Sequence, residues 1–398
     1  MPVAVTKNIF YSHLAQMIGE IEVDDKDLLL NKAAQVIGTK VYPAYQELQK
    51  YCAQLLEHTK TNDGVWALPD GDNYYAYMLK WHTTTDLSAD QIHQLGLQEV
   101  DNIQNQIRAI LAGQGIADEN KEVGQLVADL EKDPKFYFPQ TAEGKKECLA
   151  QFERILVRCR KELYPLFDIK PSAPVKIQAV PAHQEEGMPG AYYSGPSIDG
   201  SRPGAFYVNL RNMHEQPKFR METLAVHEAE PGHHFQISIQ QEMEAPIMRK
   251  VGELYNAYLE GWALYVEKLA YEQGFYSSPL DQLGHLQDEL LRAVRLVVDT
   301  GIHKKRWSRD QAIDYMVKQL GWNRDGIVTE VERYFVIPGQ ACSYKIGQLK
   351  ILQLRQKAKD ALGDAFDIRK FHNVVLTLGM APLTVLEEVV DQYIQDSL

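Results

Sequence analysis

Apolar residues recur at three- and four-residue spacing along most of this chain, and one stretch, residues 170–210, breaks the rhythm. A period near 3.6 is the signature of amphipathic helix, so the fold must be mostly α, with any sheet local. From Asp25 to Leu56 the pattern runs through Leu28, Leu29, Ala33, Val36, Ile37, Val41, Tyr45, Leu48, Leu55 and Leu56, and Pro43 is expected to kink or interrupt it. Residues 62–73 (NDGVWALPDGDN) read as a loop. Tyr74–Trp81 reads as helix. Ser88, with Gln91 three positions later, reads as the capped start of a helix that ends near Gly113 and Gly115. Two more helices are expected near 119–130 and 141–162. The exceptional stretch is rich in Pro, Gly and Tyr, and Val175–Val180, Ala191–Ser194 and Ala205–Leu210 read as a small antiparallel sheet. Helix returns from Met221 to the end. The expected organisation is a helical region over 1–168 and a second region over 169–398 that carries the sheet at 169–215. The boundary near 165–175 is soft, and the two regions can form one body.

Composition narrows the function classes. Hydrophobic residues make up 45% and charged residues 24%, as in chains that bury a core. There are 54 acidic against 42 basic residues, a net charge of −12, which argues against a nucleic-acid partner that reads a broad basic face. The opening residues MPVAVTKNIFYSHLAQ lack the features of a signal peptide. No run approaches the roughly 18 apolar residues that span a bilayer. Cys52, Cys148, Cys159 and Cys342 are far apart and read as reduced structural thiols. The expected location is therefore cytoplasmic for the chain as it stands, or secreted or periplasmic if an N-terminal segment is missing. Phosphate-loop, dinucleotide and nucleophile-elbow motifs are absent.

The chemistry concentrates in Met221–Gln236, METLAVHEAEPGHHFQ, where an apolar helix brings His227, Glu228, Glu230, His233 and His234 within eight residues. Imidazole and carboxylate are zinc ligands, and a glutamate next to a ligand histidine is a general base for water at the metal. The common H-E-x-x-H spacing is not met, because Pro231 stands where the second histidine belongs. On a straight helix His234 returns to the face of His227 but lies about 10 Å along the axis, and His233 is nearer but rotated away. A distortion at Pro231-Gly232 is needed to bring either one to a shared metal. Further along, Glu260 stands among apolar residues in AYLEGWALYVEKLA. A carboxylate there either seeks a cation or is hydrogen-bonded in the core.

The blocks HEAEPGHHFQ, AYLEGWALYVEKLA, RAVRLVVDTGIH and PGQACSYKIGQLKI, with GVWALPDGDNYY and DGSRPGAFYVNL, resemble the bacterial family catalogued as domain of unknown function 885. The resemblance runs from about Asp63 to the C-terminus. That family in turn resembles zinc metallopeptidases of the gluzincin type, such as thimet oligopeptidase and the helical metallocarboxypeptidases. It implies a helical metallopeptidase-like body with the small sheet beside an active-site cleft. It also implies that the chain is a short member or a fragment, since the family is commonly longer at the N-terminus. Residue by residue, the resemblance implies one zinc per chain held by His227, His233 and Glu260, with His234 the alternative to His233, and Glu228 as general base. Tyr344, in PGQACSY, is implied to face the metal and to steady an oxyanion.

Other roles remain open on the residues. Arg292, Arg295, Asp299 and His303 share one helix face. They form either a buried ion network or a site in which Arg295 binds a substrate carboxylate, Asp299 orients a ligand histidine and His303 steadies the transition state. The strand AFYVNL reads as an edge that can pair with a peptide, which would put Asn209 near the site as a substrate-binding residue. The expected activity is metal-assisted hydrolysis of short peptides. The rivals are a di-iron centre using Glu230 and His233, a catalytically degenerate peptide-binding protein, and a zinc hydrolase of a non-peptide amide or ester. Oligomeric state is not legible.

Overall fold

The structure is a computed structural model that describes residues 3–22, 24–59, 64–251 and 254–398. The chain divides into two compact units, Met1–Asn62 and Asp63–Leu398. The change of character near 165–175 therefore lies inside the second unit.

The first unit contains helices α1 (Ile9–Glu20), α2 (Lys26–Val36) and α3 (Tyr42–Leu56). Asn8 caps α1 by accepting from the Phe10 N–H. The interruption expected at Pro43 is a π-helical turn, Ile37–Val41, directly before it, with Pro43 inside the first turn of α3. That turn absorbs the register change where proline offers no N–H to the helix ladder.

In the second unit the order is α4 (Gly71–Thr83), α5 (Ala89–Gly113), α6 (Val123–Leu130), α7 (Ala142–Glu162), β1 (Val175–Ala179), β2 (Ala191–Ser194), β3 (Gly204–Val208), α8 (Met221–Glu228), α9 (His233–Glu242), α10 (Ile247–Val251), α11 (Asn256–Glu272), α12 (Pro279–His303), α13 (Arg309–Leu320), α14 (Arg324–Val336), α15 (Ser343–Leu362), α16 (Ile368–Leu378) and α17 (Leu383–Ser397). The mostly helical body and its small sheet are as the periodicity predicts. Of the loop expected at 62–73, residues 62 and 63 lie outside the described residues, and the remainder forms a short 3₁₀ turn and the start of α4. Ser88 accepts from the Gln91 N–H in a capping box that opens α5. Ser278 caps α12, with Pro279 in its first turn. The two 25-residue helices α5 and α12 lie closely together, since a Cβ on Gly96 would stand 2.7 Å from that of Leu296.

The sheet differs from expectation in two ways. Its order is β1-β3-β2, with β1 parallel and β2 antiparallel to β3, so it is mixed rather than antiparallel. The strand AFYVNL is β3 and lies in the centre, so it offers no free edge to a peptide. Its burial explains this position: Ala205, Phe206 and Val208 are enclosed, and Phe206 packs edge-on against Phe152 of α7 at 5.1 Å. Cys148, Cys159 and Cys342 are buried, Cys52 is exposed, and all four are free thiols. Among the described residues, no helix is long and apolar enough to cross a membrane.

Candidate metal centre

The helical run that begins at Met221 does not continue through the histidines. α8 stops at Glu228, α9 starts at His233, and the helix is broken over residues 229–232, where the Glu230–Pro231 peptide bond is cis. The break brings Gly232 onto the end of α8. A Cβ there would stand 1.9 Å from the His227 carbonyl oxygen and 2.2 Å from that of Val226. Only glycine fits so close an approach. The Pro231 carbonyl, turned out of both helices, accepts from Trp262 Nε1 at 3.0 Å. Gly232→Ala is thus expected to cost on the order of 3 kcal/mol or more and to scatter the histidines. Thermal unfolding and metal titration of that variant check this, and wild-type metal affinity would disprove it.

The break closes the gap that a straight helix leaves. His227 and His233 have ring centroids 4.7 Å apart at 86°. Glu260, on α11, places Oε2 3.5 Å from His227 Nε2 and 3.4 Å from His233 Nε2. One ligand atom from each of the three residues lies within 4.8 Å of the others. Atoms ~2.0–2.2 Å from a common tetrahedral centre stand about 3.3–3.6 Å apart, so the spacing fits a small divalent ion. Glu260 Oε2 is buried and makes no hydrogen bond with a described residue, which leaves it free to ligate. His227, His233 and Glu260 therefore form a possible metal site. Their side chains are 7%, 10% and 15% exposed, a site nearly enclosed yet still reachable.

A second carboxylate stands behind the first histidine. His227 Nδ1 donates to Glu267 Oε1 at 2.6 Å, which aims Nε2 at Glu260. Glu267, two turns beyond Glu260 on α11, is fully buried. Burial opposes its ionisation, but the Arg292 guanidinium, the hydrogen bond from His227 and the nearby His285 ring outweigh that and hold its carboxyl down to about 2. Burial likewise opposes charge on His227, and the carboxylates of Glu260 and Glu267 overcome it, raising the imidazole to about 10. The pocket is thus built to stabilise positive charge where the ligand atoms converge. Glu267→Gln is expected to weaken metal binding about 10–100-fold with the helix content unchanged. Competition against a chelator of known affinity reads this, and an unchanged affinity would rule out an orienting role for Glu267.

His234 and Glu230 of the motif point elsewhere. His234 Nε2 donates to the Ala173 carbonyl at 3.0 Å, and its Nδ1 faces the Tyr193 hydroxyl at 2.9 Å and Ser238 Oγ at 3.2 Å. It ties α9 to the sheet, so the geometry brings His233 rather than His234 to His227. Glu230 accepts from Arg160 at 2.8 and 2.9 Å and from the Tyr164 hydroxyl at 2.7 Å. That clamp removes it from any di-iron arrangement. Glu228, at the end of α8, is buried beside His227.

Tyr344 comes to the site through a close helix crossing. A Cβ on Gly261 would stand 2.6 Å from Gly347 Cα, and one on Gly347 would stand 1.9 Å from the Ala257 carbonyl oxygen. α11 and α15 therefore meet backbone to backbone, with Tyr344 one turn before the crossing and Glu260 directly beside it. Burial raises the Tyr344 phenol above its usual range, and the nearby charge of Glu260 adds to the rise. Arg295 lies against the Tyr344 ring, its Cζ 4.5 Å from the centroid.

The shared face of α12 resolves into separate duties. Arg292 backs Glu267, at 3.8 Å. Both Nε and Nη2 of Arg295 are bound to Glu330, at 2.8 and 2.6 Å, so Arg295 belongs to a buried ion network. Asp299 accepts from the Tyr75 hydroxyl at 2.6 Å and from the Gly339 N–H, not from a ligand histidine. His303 corrects the expectation of a catalytic group: its Nδ1 accepts from the Val65 N–H at 3.2 Å and its Nε2 donates to the Tyr334 carbonyl at 3.0 Å. With both nitrogens spent on backbone and its surface fully buried, it joins α12 to the segment before α4 and to α14. Asn209 is a second correction. Its amide donates to the carbonyls of Glu185, Met188 and Pro189 at 2.7–3.2 Å, and its Oδ1 accepts from the Arg211 N–H. These bonds occupy both N–H donors and pin the loop before β2, and the side chain is fully buried, out of reach of a substrate.

A family model described as "Bacterial protein of unknown function (DUF885)" matches residues 3–390. The chain belongs to that family. Among solved structures, a "putative lipoprotein from Colwellia psychrerythraea" is 41% identical, with a TM-score of 0.95 over 99% of this chain and 68% of that one. A "putative lipoprotein of unknown function from Shewanella oneidensis", 18% identical, shares the fold with a TM-score of 0.73 over 96% of this chain and 70% of its own. A carboxypeptidase from Pyrococcus furiosus aligns over 98% of this chain and 96% of its own at 12% identity, but its TM-score of 0.34 is too low to speak for a common fold. No curated protein matches. In this DUF885 chain, the residues that sequence reasoning missed are Glu267 and the arginine on α14, Arg333. Glu267 carried a usable signal, since it stands seven residues after Glu260 on the same face of an apolar helix.

Proposed function

We propose that this chain is a zinc-dependent hydrolase of short peptides. The observation that carries the reading is the convergence of His227, His233 and Glu260 at tetrahedral ligand spacing across a broken helix, with Glu267 holding His227 from behind. His227, His233 and Glu260 would hold one zinc per chain. When bound, zinc lowers the pKa of an adjacent water to about 7 and polarises a carbonyl. Glu228 accepts the proton of the attacking water and later delivers it to the leaving amine. Tyr344 donates its phenolic hydrogen to the carbonyl oxygen as negative charge gathers there, and Arg295 holds the ring in place. The names of the Colwellia and Shewanella relatives favour an exported rather than a cytoplasmic setting.

The test is turnover. The protein, stripped with a chelator and dialysed, is expected to leave a mixture of short peptides intact, and one equivalent of zinc is expected to restore cleavage seen by mass spectrometry. Peptide binding without cleavage by the zinc-loaded protein would make it a binding module. Cleavage of small amides or esters but no peptides would move it to another hydrolase class.

A further inference from the structure

Glu330 serves more donors than one of its oxygens can satisfy. Its Oε1 accepts from Arg295 Nε at 2.8 Å and Nη2 at 2.6 Å, from Arg333 Nη2 at 2.8 Å and from the Tyr334 hydroxyl at 2.8 Å. Four donors exceed the two lone pairs of one carboxylate oxygen. Two guanidinium ions against one carboxylate also leave a positive charge in excess around Glu330. Asp299, another carboxylate near Arg333, is buried and held by the Tyr75 hydroxyl and the Gly339 N–H. Such a cluster has capacity for a second anion.

The two arginines are not equivalent. Arg295 has 10% of its side chain exposed and lies against the Tyr344 ring. Arg333 has 31% exposed, so a ligand can reach it. Its Nη1 donates to Gln340 Oε1. Gln340 and Tyr344 belong to one short segment, PGQACSY, which the crossing at Gly261 and Gly347 sets beside Glu260. The exposed guanidinium is therefore linked through one side chain to the segment that carries Tyr344. A planar guanidinium matches a carboxylate in two-point hydrogen bonding.

We propose that Arg333, with Arg295 behind it, receives the C-terminal carboxylate of the peptide substrate. The inference rests on the hydrolase reading above and narrows it to release of residues from a free carboxyl end. Recognition of a carboxylate inside a substrate would instead come from an acidic side chain, and the probes below separate the two.

The test reads binding, so it does not depend on turnover. The chain carrying Glu228→Gln is loaded with zinc and titrated calorimetrically with the tripeptide Ala-Ala-Phe, with its C-terminal amide, and with the amide of Ala-Ala-Glu. The free acid is expected to bind about tenfold or more tighter than either amide. That preference is expected to vanish in Glu228→Gln/Arg333→Gln and to survive in part in Glu228→Gln/Arg333→Lys. Equal affinity for acid and amide, an undiminished preference without Arg333, or no binding of any probe overturns the proposal. Tight binding of the Ala-Ala-Glu amide overturns the assignment to the chain end. Failure of the wild-type protein to cleave any peptide would end the hydrolase reading while leaving an acid preference in these titrations standing.

Discussion

Glu260→Ala is expected to leave a folded protein that carries almost no metal, where the wild type is expected to carry about one zinc per chain. Two imidazoles alone make a poor zinc site, because structural and catalytic sites use three or four protein ligands. Peptide turnover should fall on the order of a thousandfold or more, since both the lowered water pKa and carbonyl polarisation depend on the ion. The helix content should hold, because the side-chain partners of Glu260 are the two histidines of the site itself and its Oε2 makes no hydrogen bond with a described residue. Elemental analysis beside circular dichroism makes the measurement. Zinc retained in full by the variant would remove Glu260 from the site and with it the reading of the function.

The second large effect separates chemistry from ligation. Glu228→Gln keeps the shape of the side chain and removes its ability to take a proton. Metal content should stay at one per chain and KM should change little, while kcat falls by about 10²–10⁴-fold, the range expected for loss of a general base. A kcat within a few fold of the wild type would assign the proton transfer to another group. The Glu260 and Glu228 variants together form a contrast: one loses the ion and the rate, the other loses the rate alone.

The helices and their caps were open to reading because their causes are local. Ser88 and Gln91 make the capping box that their spacing predicts, and the apolar periods of α5 and α12 bury the stripes that they mark. The sheet was harder. AFYVNL is recognisable as a strand from composition, but its place between β1 and β2 depends on packing against α7, which lies far from it in sequence. The possible metal site was half legible. His227, His233 and Glu260 stand out by residue type, but the break that unites them depends on Gly232 meeting the His227 carbonyl, a backbone approach that residue types do not display. Asn209 and His303 show the opposite failure. A buried polar side chain looks alike in sequence whether it faces a substrate or a stray backbone carbonyl. Only the partners of Asn209 in the 185–189 loop and of His303 at Val65 and Tyr334 tell the two apart.

The contact of Gly261 with Gly347 bears on how such a protein can change over time. Where side chains interlock between two helices, drift in one is absorbed by drift in the other, and the helices wander by fractions of an ångström. Here no side chains stand between the strips of backbone that carry Glu260 and Tyr344. The separation is set by the thickness of the main chain itself, which no substitution in the surrounding core can alter. A change in a loop or an outer helix therefore leaves the distance between the backbone beside Glu260 and the backbone that leads to Tyr344 as the crossing sets it.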